Sequence, residues 1–280
     1  MNFTPQQVGK YYDVTREHYR YFWKMNQCRA LHYGYWDAST KNFSEAMARI
    51  NAELATVAGI TDGMQILDAG CGEGGSMIWL AQHFTSTIKG ITLSKKQVES
   101  IHRYIESHPL KNVSVALMDY HHTDFPDASF DIVWAIESPC QSPNKPAFLH
   151  EMYRILKPRG RLVMADYFMC ENPREKQLYF MQKWAHSWTL EAYATHSEFM
   201  NGAMAAGFEQ VYERDITTNV LPSARRLYRA SLIGIPMAAV YNLLNPSVSE
   251  EGKRNVWSGY WQYRALQLKA WSYKILLFQK

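Results

Sequence analysis

Cysteine is scarce in this chain of 280 residues, and strong net charge is lacking as well. The cysteines are far apart and form no C-x-x-C pair, which argues against a disulfide framework and against a zinc site. We therefore expect reduced thiols, a cytoplasmic location and no metal held by a dedicated motif. The four cysteines are Cys28, Cys71, Cys140 and Cys170. The net charge is +4, and the Arg225-Arg226 pair is too short to be a basic patch, so no nucleic-acid partner is predicted.

An uninterrupted apolar run of membrane-spanning length is also absent. The first twelve residues are polar, unlike the apolar centre of a signal peptide. Residues 223–267 are rich in apolar side chains, but arginines, Gly234 and Pro236 interrupt the segment, and it is short, so we predict no transmembrane segment. We predict that helices of this segment form a lid over a binding pocket. The alternatives are the face of a homo-oligomer and a contact with a membrane surface.

Strands and helices alternate from residue 64 onward. Five strands are predicted at residues 64–68, 87–92, 113–118, 130–136 and 160–166, with helices at 75–84, 94–107 and 144–156. This alternation is typical of an α/β fold, in which helices cover both faces of a parallel sheet and the ligand lies at the carboxyl ends of the strands. Further along, we predict a long helix at 173–206, a strand at 209–217 and a last strand at 271–278.

These elements predict four parts of the chain. They are an N-terminal helical and aromatic cap (1–41), a Rossmann-like core (42–217), a helical lid insertion (218–267) and the last strand of the core (268–280).

A glycine-rich turn follows the first predicted strand and precedes a predicted helix. The run Asp68-Ala-Gly70-Cys71-Gly72-Glu-Gly74 has glycine at every second position, which is typical of a loop that cradles a nucleotide. An NAD site needs an acid at the end of the second strand, but residues 90–97 contain none. A phosphate-binding Walker loop needs a lysine after the glycines, and none is present. S-Adenosylmethionine is the common ligand that remains.

Two motifs resemble those of a known family. The glycine run resembles motif I of the class I S-adenosylmethionine-dependent methyltransferases. Residues 90–97, Gly-Ile-Thr-Leu-Ser-Lys-Lys-Gln, resemble the second motif of the branch that holds sterol and tocopherol C-methyltransferases and cyclopropane fatty-acid synthases. The resemblance covers residues 10–217 and implies a Rossmann-like, mostly parallel seven-stranded sheet whose last strand is antiparallel.

The resemblance also implies which residues hold the cofactor. Asp68, Gly70, Cys71 and Gly72 belong to the loop that meets the methionine part. Thr92 and Leu93, through their backbone, and Gln97, through its side chain, recognise the ribose and adenosine. Asp119 accepts a hydrogen bond from the adenine amine, and Tyr120 flanks it. Tyr12 and Tyr33 resemble the aromatic residues of an N-terminal segment that closes over the methionine part, where they donate to its carboxylate.

A further run, from Trp134 to Cys140, resembles the Ala-Ile-Glu-Ala-Thr-Cys run of sterol methyltransferases. Glu137 in this run is the candidate catalytic base and also a candidate contact of the cofactor. The alternative for Glu137 is a structural carboxylate that bonds to backbone or to a tyrosine. Sterol enzymes have histidine after the cysteine where this chain has Gln141. The tail at 223–267 does not resemble theirs, so their substrate is not implied.

The methyl acceptor is predicted to be a hydrophobic small molecule. Methylation of an alkene carbon needs aromatic faces and one base, and Trp36, Trp188 and Tyr228 are the candidates for an aromatic wall. A carboxylate or phenolate acceptor needs an orienting group, for which Arg225, Arg226 or His186 are candidates. A diphosphate acceptor would need Mg²⁺. The neighbouring His121 and His122 are poor joint ligands, and a solvated loop is expected there.

We predict C-methylation of an isoprenoid or lipid-like olefin ahead of O-methylation of a fatty or aromatic acid. A methyltransferase that also acts as a cyclase, or a cofactor-binding protein without catalysis, is the third alternative.

Overall fold

The computed structural model describes residues 4–22, 28–108, 110–245 and 248–280. The strands are β1 (Gln65–Ala69), β2 (Thr87–Thr92), β3 (Val113–Leu117), β4 (Phe130–Ile136), β5 (Leu156–Met169), β6 (Glu209–Asp215) and β7 (Trp271–Gln279). The helices are α1 (Pro5–Phe22), α2 (Phe43–Ala58), α3 (Gly75–His83), α4 (Lys95–Ser107), α5 (Lys145–Ile155), α6 (Glu175–Ser187), α7 (His196–Ala205), α8 (Thr217–Leu244), α9 (Glu250–Asn255) and α10 (Ser258–Gln267). Residues 1–3 and 23–27 of the predicted cap and Pro246 lie outside the described residues.

All seven strands form one sheet in the order β3-β2-β1-β4-β5-β7-β6. The first five strands in this order run parallel, and β7 pairs antiparallel with both β5 and β6. This is the predicted Rossmann-like α/β fold with an antiparallel last strand, and the prediction is confirmed. The direction of winding reverses between β1 and β4, and a sheet of this kind binds its ligand at that point.

The helix before the sheet has the caps that its sequence predicts. The Asn42 side chain accepts a hydrogen bond from the Glu45 backbone, and Gly59 ends the helix at a φ of 60°, which glycine adopts without strain. The buried stripe of Met47, Ile50 and Leu54 packs the helix into the core.

The predicted helix at 173–206 is wrong, because two helices occupy that range. α6 ends at Ser187 and α7 begins at His196. Thr195 and Glu198 form a capping box, in which each side chain accepts from the other's backbone, and this starts a new helix. The strand predicted at 160–166 is also too short, since β5 pairs with β7 from Arg161 to Met169.

The predicted strand at 209–217 ends early, at Asp215, because α8 begins at Thr217. That helix has 28 residues and is longer than expected, although its longest part without charged residues begins only after Arg229. By length and composition alone α8 could cross a membrane, which for one helix is weak evidence. Its first half is anchored, since Val220, Ala224 and Leu227 are buried.

Candidate active site

A cavity opens at the carboxyl ends of β1, β2 and β4, the edge at which a sheet of this kind binds its ligand. Its wall combines the glycine turn after β1, residues after β2 and β4, and two N-terminal pieces. Of the predicted cofactor residues, the structure brings ten together in this wall. They are Tyr12, Asp68, Gly70, Cys71, Gly72, Thr92, Leu93, Gln97, Tyr120 and Glu137.

The glycine turn is shaped by backbone that side chains rarely adopt. Gly70 has a φ of 96° and Gly72 a φ of 54°. A Cβ on Gly70 would lie 2.5 Å from the Cβ of Ser138, so glycine is needed there for packing. A Cβ on Gly72 would meet only the Leu31 Cδ1 atom, at 3.8 Å. Since Gly72 lines the cavity, a larger side chain there would take ligand space.

Asp68 ends β1 and is buried, with 3% of its surface exposed. Its Oδ2 atom has no hydrogen-bond partner among the described residues. Burial raises the pKa of this carboxyl to about 8. An unpartnered acidic oxygen in a cavity wall is costly unless a ligand supplies a donor, and a cationic donor suits it best.

Residues after β2 form the next part of the wall. The Ser94 side chain caps α4 by accepting from the Gln97 backbone, which holds the helix start against the cavity. The Thr92 hydroxyl donates to the Gln97 Oε1 atom over 2.6 Å.

Asp119 does not line the cavity, although its neighbours Met118 and Tyr120 do. Its Oδ1 atom accepts from the His121 backbone and contacts the His121 Nδ1 atom at 2.6 Å. The His121 Nε2 atom lies 2.7 Å from the Ser142 hydroxyl. The role of Asp119 at the adenine amine thus stays a prediction. The expectation of a solvated loop is wrong for His121, which is buried by these contacts.

Glu137 follows β4 with a φ of 49° and is 8% exposed at the cavity wall. Its Oε1 atom accepts from the Tyr33 backbone over 2.6 Å and from the Tyr273 hydroxyl over 2.8 Å. Its Oε2 atom accepts from the Tyr167 hydroxyl over 2.7 Å. Burial raises the pKa of Glu137 to about 8, although these three hydrogen bonds act in the opposite direction. The hydrogen bonds from backbone and tyrosines are those expected of a carboxylate with a structural role. The position of Glu137 in the cavity wall is the one expected of a catalytic base.

A cluster of aromatic rings lies behind Glu137. The ring of Tyr167 makes edge contacts with Trp184 at 4.9 Å, Trp188 at 6.0 Å and Tyr193 at 6.1 Å between centroids. The indole nitrogens of both tryptophans and the Tyr193 hydroxyl are buried without a described hydrogen-bond partner. Trp188, predicted for the aromatic wall, therefore belongs to this cluster but does not line the cavity.

Several other candidate residues lie away from the cavity wall. Tyr33 is buried below it, where its hydroxyl donates to Gln262. The Trp36 indole donates to the Ser223 hydroxyl over 2.9 Å, and Tyr228 stacks on Tyr263 at 4.6 Å. These side chains therefore do not line the cavity, and their roles at the methionine carboxylate and in an acceptor wall stay predictions.

The cationic candidates are also elsewhere. Arg226 lies over the ring of Phe43, Arg225 is exposed, and His186 contacts Arg254. Among the described residues, none from 218–267 lines this cavity, because α8 packs against α10 and the segment before α2. The prediction that helices of this segment form a lid is therefore corrected, because they do not line this cavity.

Among the wall residues that the sequence did not predict, Arg29, His32 and Gln141 carry polar side chains that bear on ligand binding. Arg29 donates to the Glu73 carbonyl over 3.0 Å. The His32 Nδ1 atom lies 3.0 Å from the Tyr33 carbonyl, which only accepts, so this nitrogen carries the proton and Nε2 is an acceptor. Burial lowers the pKa of His32 to about 4, so the ring is neutral at pH 7. Gln141 also lines the cavity, and its only sequence signal was its position where sterol enzymes have histidine.

The wall residues fit S-adenosylmethionine. Three buried atoms without described partners are acceptors, namely Asp68 Oδ2, His32 Nε2 and Gln141 Oε1. S-Adenosylmethionine offers donors, since it has an ammonium group, two ribose hydroxyls and an adenine amine. A phosphate offers only acceptors and would supply no donor to these three atoms. Among the described residues, no group of three His, Cys, Asp or Glu is placed to hold a metal ion.

Comparison with known proteins places the chain in a family. A family model described as a methyltransferase domain matches residues 60–218. The chain belongs to this family, as its motifs predict.

Named relatives include enzymes with different acceptors. Methyltransferase GfsG of Streptomyces halstedii is 37% identical over 58% of this chain and 58% of its own length. A sterol 24-C-methyltransferase of Eremothecium gossypii is 34% identical over 60% of this chain and 44% of its own. O-methyltransferase cnsE of Penicillium expansum is 31% identical over 79% of both chains. The chain thus spans less than two thirds of the length of the first two.

Solved structures confirm the fold over nearly the whole chain. The [4+2]-cyclase SpnF superposes with a TM-score of 0.81 at 23% identity, covering 99% of this chain and 96% of its own. The cyclopropane synthase MmaA2 from Mycobacterium tuberculosis has a TM-score of 0.81 at 16% identity, covering 100% and 99%.

Proposed function

We propose that this chain is an S-adenosylmethionine-dependent methyltransferase that methylates a carbon of an isoprenoid or lipid-like olefin. The observation that carries the proposal is Glu137, a buried carboxylate on the cavity wall with aromatic rings behind it. Its pKa of about 8 suits a base that works near neutral pH.

The chemistry divides between the cofactor and the chain. S-Adenosylmethionine supplies an electrophilic methyl group on a sulfonium. The alkene of the acceptor would give its π electrons to the methyl carbon while the methyl–sulfur bond breaks and its electron pair stays on sulfur. This would leave S-adenosylhomocysteine and a carbocation on the acceptor. The Glu137 carboxylate then takes a proton from the neighbouring carbon and the alkene re-forms. Tyr167 and Tyr273 fix the carboxylate by hydrogen bonds, and the Tyr12 and Tyr120 rings in the cavity wall are the aromatic groups that stabilise a cation.

O-Methylation is the second candidate, because relatives such as cnsE carry that name. An anionic acceptor needs a cationic side chain to orient it. Arg225, Arg226 and His186 lie away from the wall, and Arg29, which does line it, pairs with Glu73. The positions of these cationic side chains therefore favour a neutral acceptor over an anionic one.

The test is an acceptor screen with purified protein and S-adenosylmethionine labelled in its methyl group. Fatty acids, prenyl diphosphates, sterols and phenols are offered, each with Mg²⁺ or with EDTA. We expect label in a product that survives alkaline hydrolysis. Label in a base-labile ester would move the assignment to O-methylation, and a need for Mg²⁺ only with prenyl diphosphates would identify that acceptor class.

A further inference from the structure

The second half of α8 leaves the body of the protein with its apolar side chains exposed. Leu243 is 83% exposed and Leu244 is 76% exposed. Earlier in the same half of the helix, Ile233 and Met237 are also exposed. Residues 232–244 contain no charged side chain. A soluble surface rarely shows so many large apolar groups side by side unless something covers them.

These exposed groups share one side of the helix. With 3.6 residues per turn, the large exposed side chains fall within about half of the circumference. They are Leu232, Ile233, Met237, Val240, Tyr241, Leu243 and Leu244. The residues that bury α8 against the protein fall on the opposite side, and these are Val220, Ser223, Ala224, Leu227 and Ser231.

Positive charge lies on the same side of the helix, one to two turns before the apolar part. Arg225 and Arg229 are both exposed and fall within the half-circumference of the apolar groups. This face of the helix is therefore cationic near the body of the protein and apolar toward the C-terminal end of the helix. An anionic bilayer has the complementary order, with phosphate headgroups outside and acyl chains within.

We propose that this face of α8 docks the protein on an anionic lipid bilayer. The uncharged part has 13 residues and is about 20 Å long, which is shorter than the hydrocarbon core of about 30 Å. It therefore enters one leaflet, and the arginines remain among the headgroups. A second protein copy would match the apolar groups, but residues 232–244 hold no acidic side chain to pair with the arginines, whereas an anionic headgroup pairs with them.

The experiment uses purified protein and sedimentation with vesicles of phosphatidylcholine, or of phosphatidylcholine and phosphatidylglycerol at about 3:1. We expect binding to the mixed vesicles to be tighter than to neutral ones. Leu243→Asp with Leu244→Asp should weaken binding at least about tenfold, and Arg225→Gln with Arg229→Gln should remove the preference for the anionic lipid.

Matched controls replace exposed apolar residues elsewhere. Met204→Asp on α7 and Val211→Asp on β6 should bind vesicles as the native protein does. Circular dichroism and thermal melting check that every variant is folded. Equal binding by the α8 variants, or no binding by the native protein, would overturn the proposal. So would a dimer in analytical ultracentrifugation that only the α8 variants lose. The assay contains no cofactor or acceptor, so its outcome is independent of the proposed methylation.

Discussion

At the scale of single residues, the cavity is distinguished by acceptor atoms that lack partners. Asp68, His32 and Gln141 each contribute one buried acceptor atom. Together these atoms favour a ligand with several hydrogen-bond donors. This is the physical reason why the site suits an aminoacid–nucleoside cofactor better than a phosphate. Among these three residues Asp68 has the largest effect on how binding varies with pH, because burial raises its pKa to about 8.

Asp68 makes cofactor binding depend on pH. At pH 7 the free carboxyl is mostly protonated, and the ammonium of bound S-adenosylhomocysteine favours the ionised form, so binding releases a proton. Affinity should rise with pH up to about 8. Isothermal titration calorimetry at pH 7 in phosphate and in Tris measures the release. Asp68→Asn should bind more weakly with no proton release, and an unchanged release in this variant would contradict the assignment.

Glu137 is the residue on which the chemistry depends. Glu137→Gln should lower kcat by about 10²- to 10⁴-fold and leave the affinity for S-adenosylhomocysteine unchanged. In the native protein kcat should rise with pH and level off above about 8, since the carboxylate is the active form.

Tyr273→Phe is the informative companion variant, because Tyr273 donates to the ionised carboxylate. Its loss raises the pKa of Glu137, so the rising limb of the pH profile should move to higher pH. A lower kcat with an unmoved limb would mean that Glu137 acts as a structural group.

At the scale of elements, the glycine turn can be tested against a glycine with similar backbone. Gly72 and Gly63 both have positive φ, but a Cβ on Gly63 would meet nothing within 4 Å and Gly63 is outside the cavity wall. Valine at either position should destabilise the fold by about 1–3 kcal/mol. Only Gly72→Val should lose affinity for S-adenosylhomocysteine, as followed by calorimetry. Equal losses of affinity in both variants would mean that strain, and not occupied space, is the cause.

The elements also show what could be read from the sequence. The strand, turn and helix around residues 64–83 are local, and their pattern of apolar residues and glycines predicted the strand–turn–helix unit and the part of the cavity wall formed by Asp68, Gly70, Cys71 and Gly72. The surroundings of Glu137 are not local, because Tyr33 and Tyr273 come from opposite ends of the chain. The prediction that α8 belongs to a lid failed for a related reason, because the position of α8 depends on tertiary partners such as α10.

At the scale of the whole molecule, the buried acids set how stability varies with pH. Burial raises the pKa values of both Asp68 and Glu137 to about 8, from 3.8 and 4.5. Between pH 5 and pH 8 the folded protein therefore holds protons that the unfolded chain has released, so stability falls as pH rises. Below that window this contribution is fully present.

Urea unfolding at pH 5.5 and 8.5 measures this effect. The native protein should unfold with a larger free energy at pH 5.5. The variant with both Asp68→Asn and Glu137→Gln should show a smaller difference, because its amides do not titrate. A difference as large as the native one would mean that other groups control it.

The atom that receives the transferred methyl group distinguishes C-methylation from O-methylation. Product made from ¹³C-methyl-labelled S-adenosylmethionine and an accepted isoprenoid or sterol is analysed by NMR. We predict a labelled methyl bonded to carbon, one proton lost from the neighbouring carbon and an alkene retained, with Glu137→Gln forming this product about 10²- to 10⁴-fold more slowly. A labelled methyl bonded to oxygen would contradict the account.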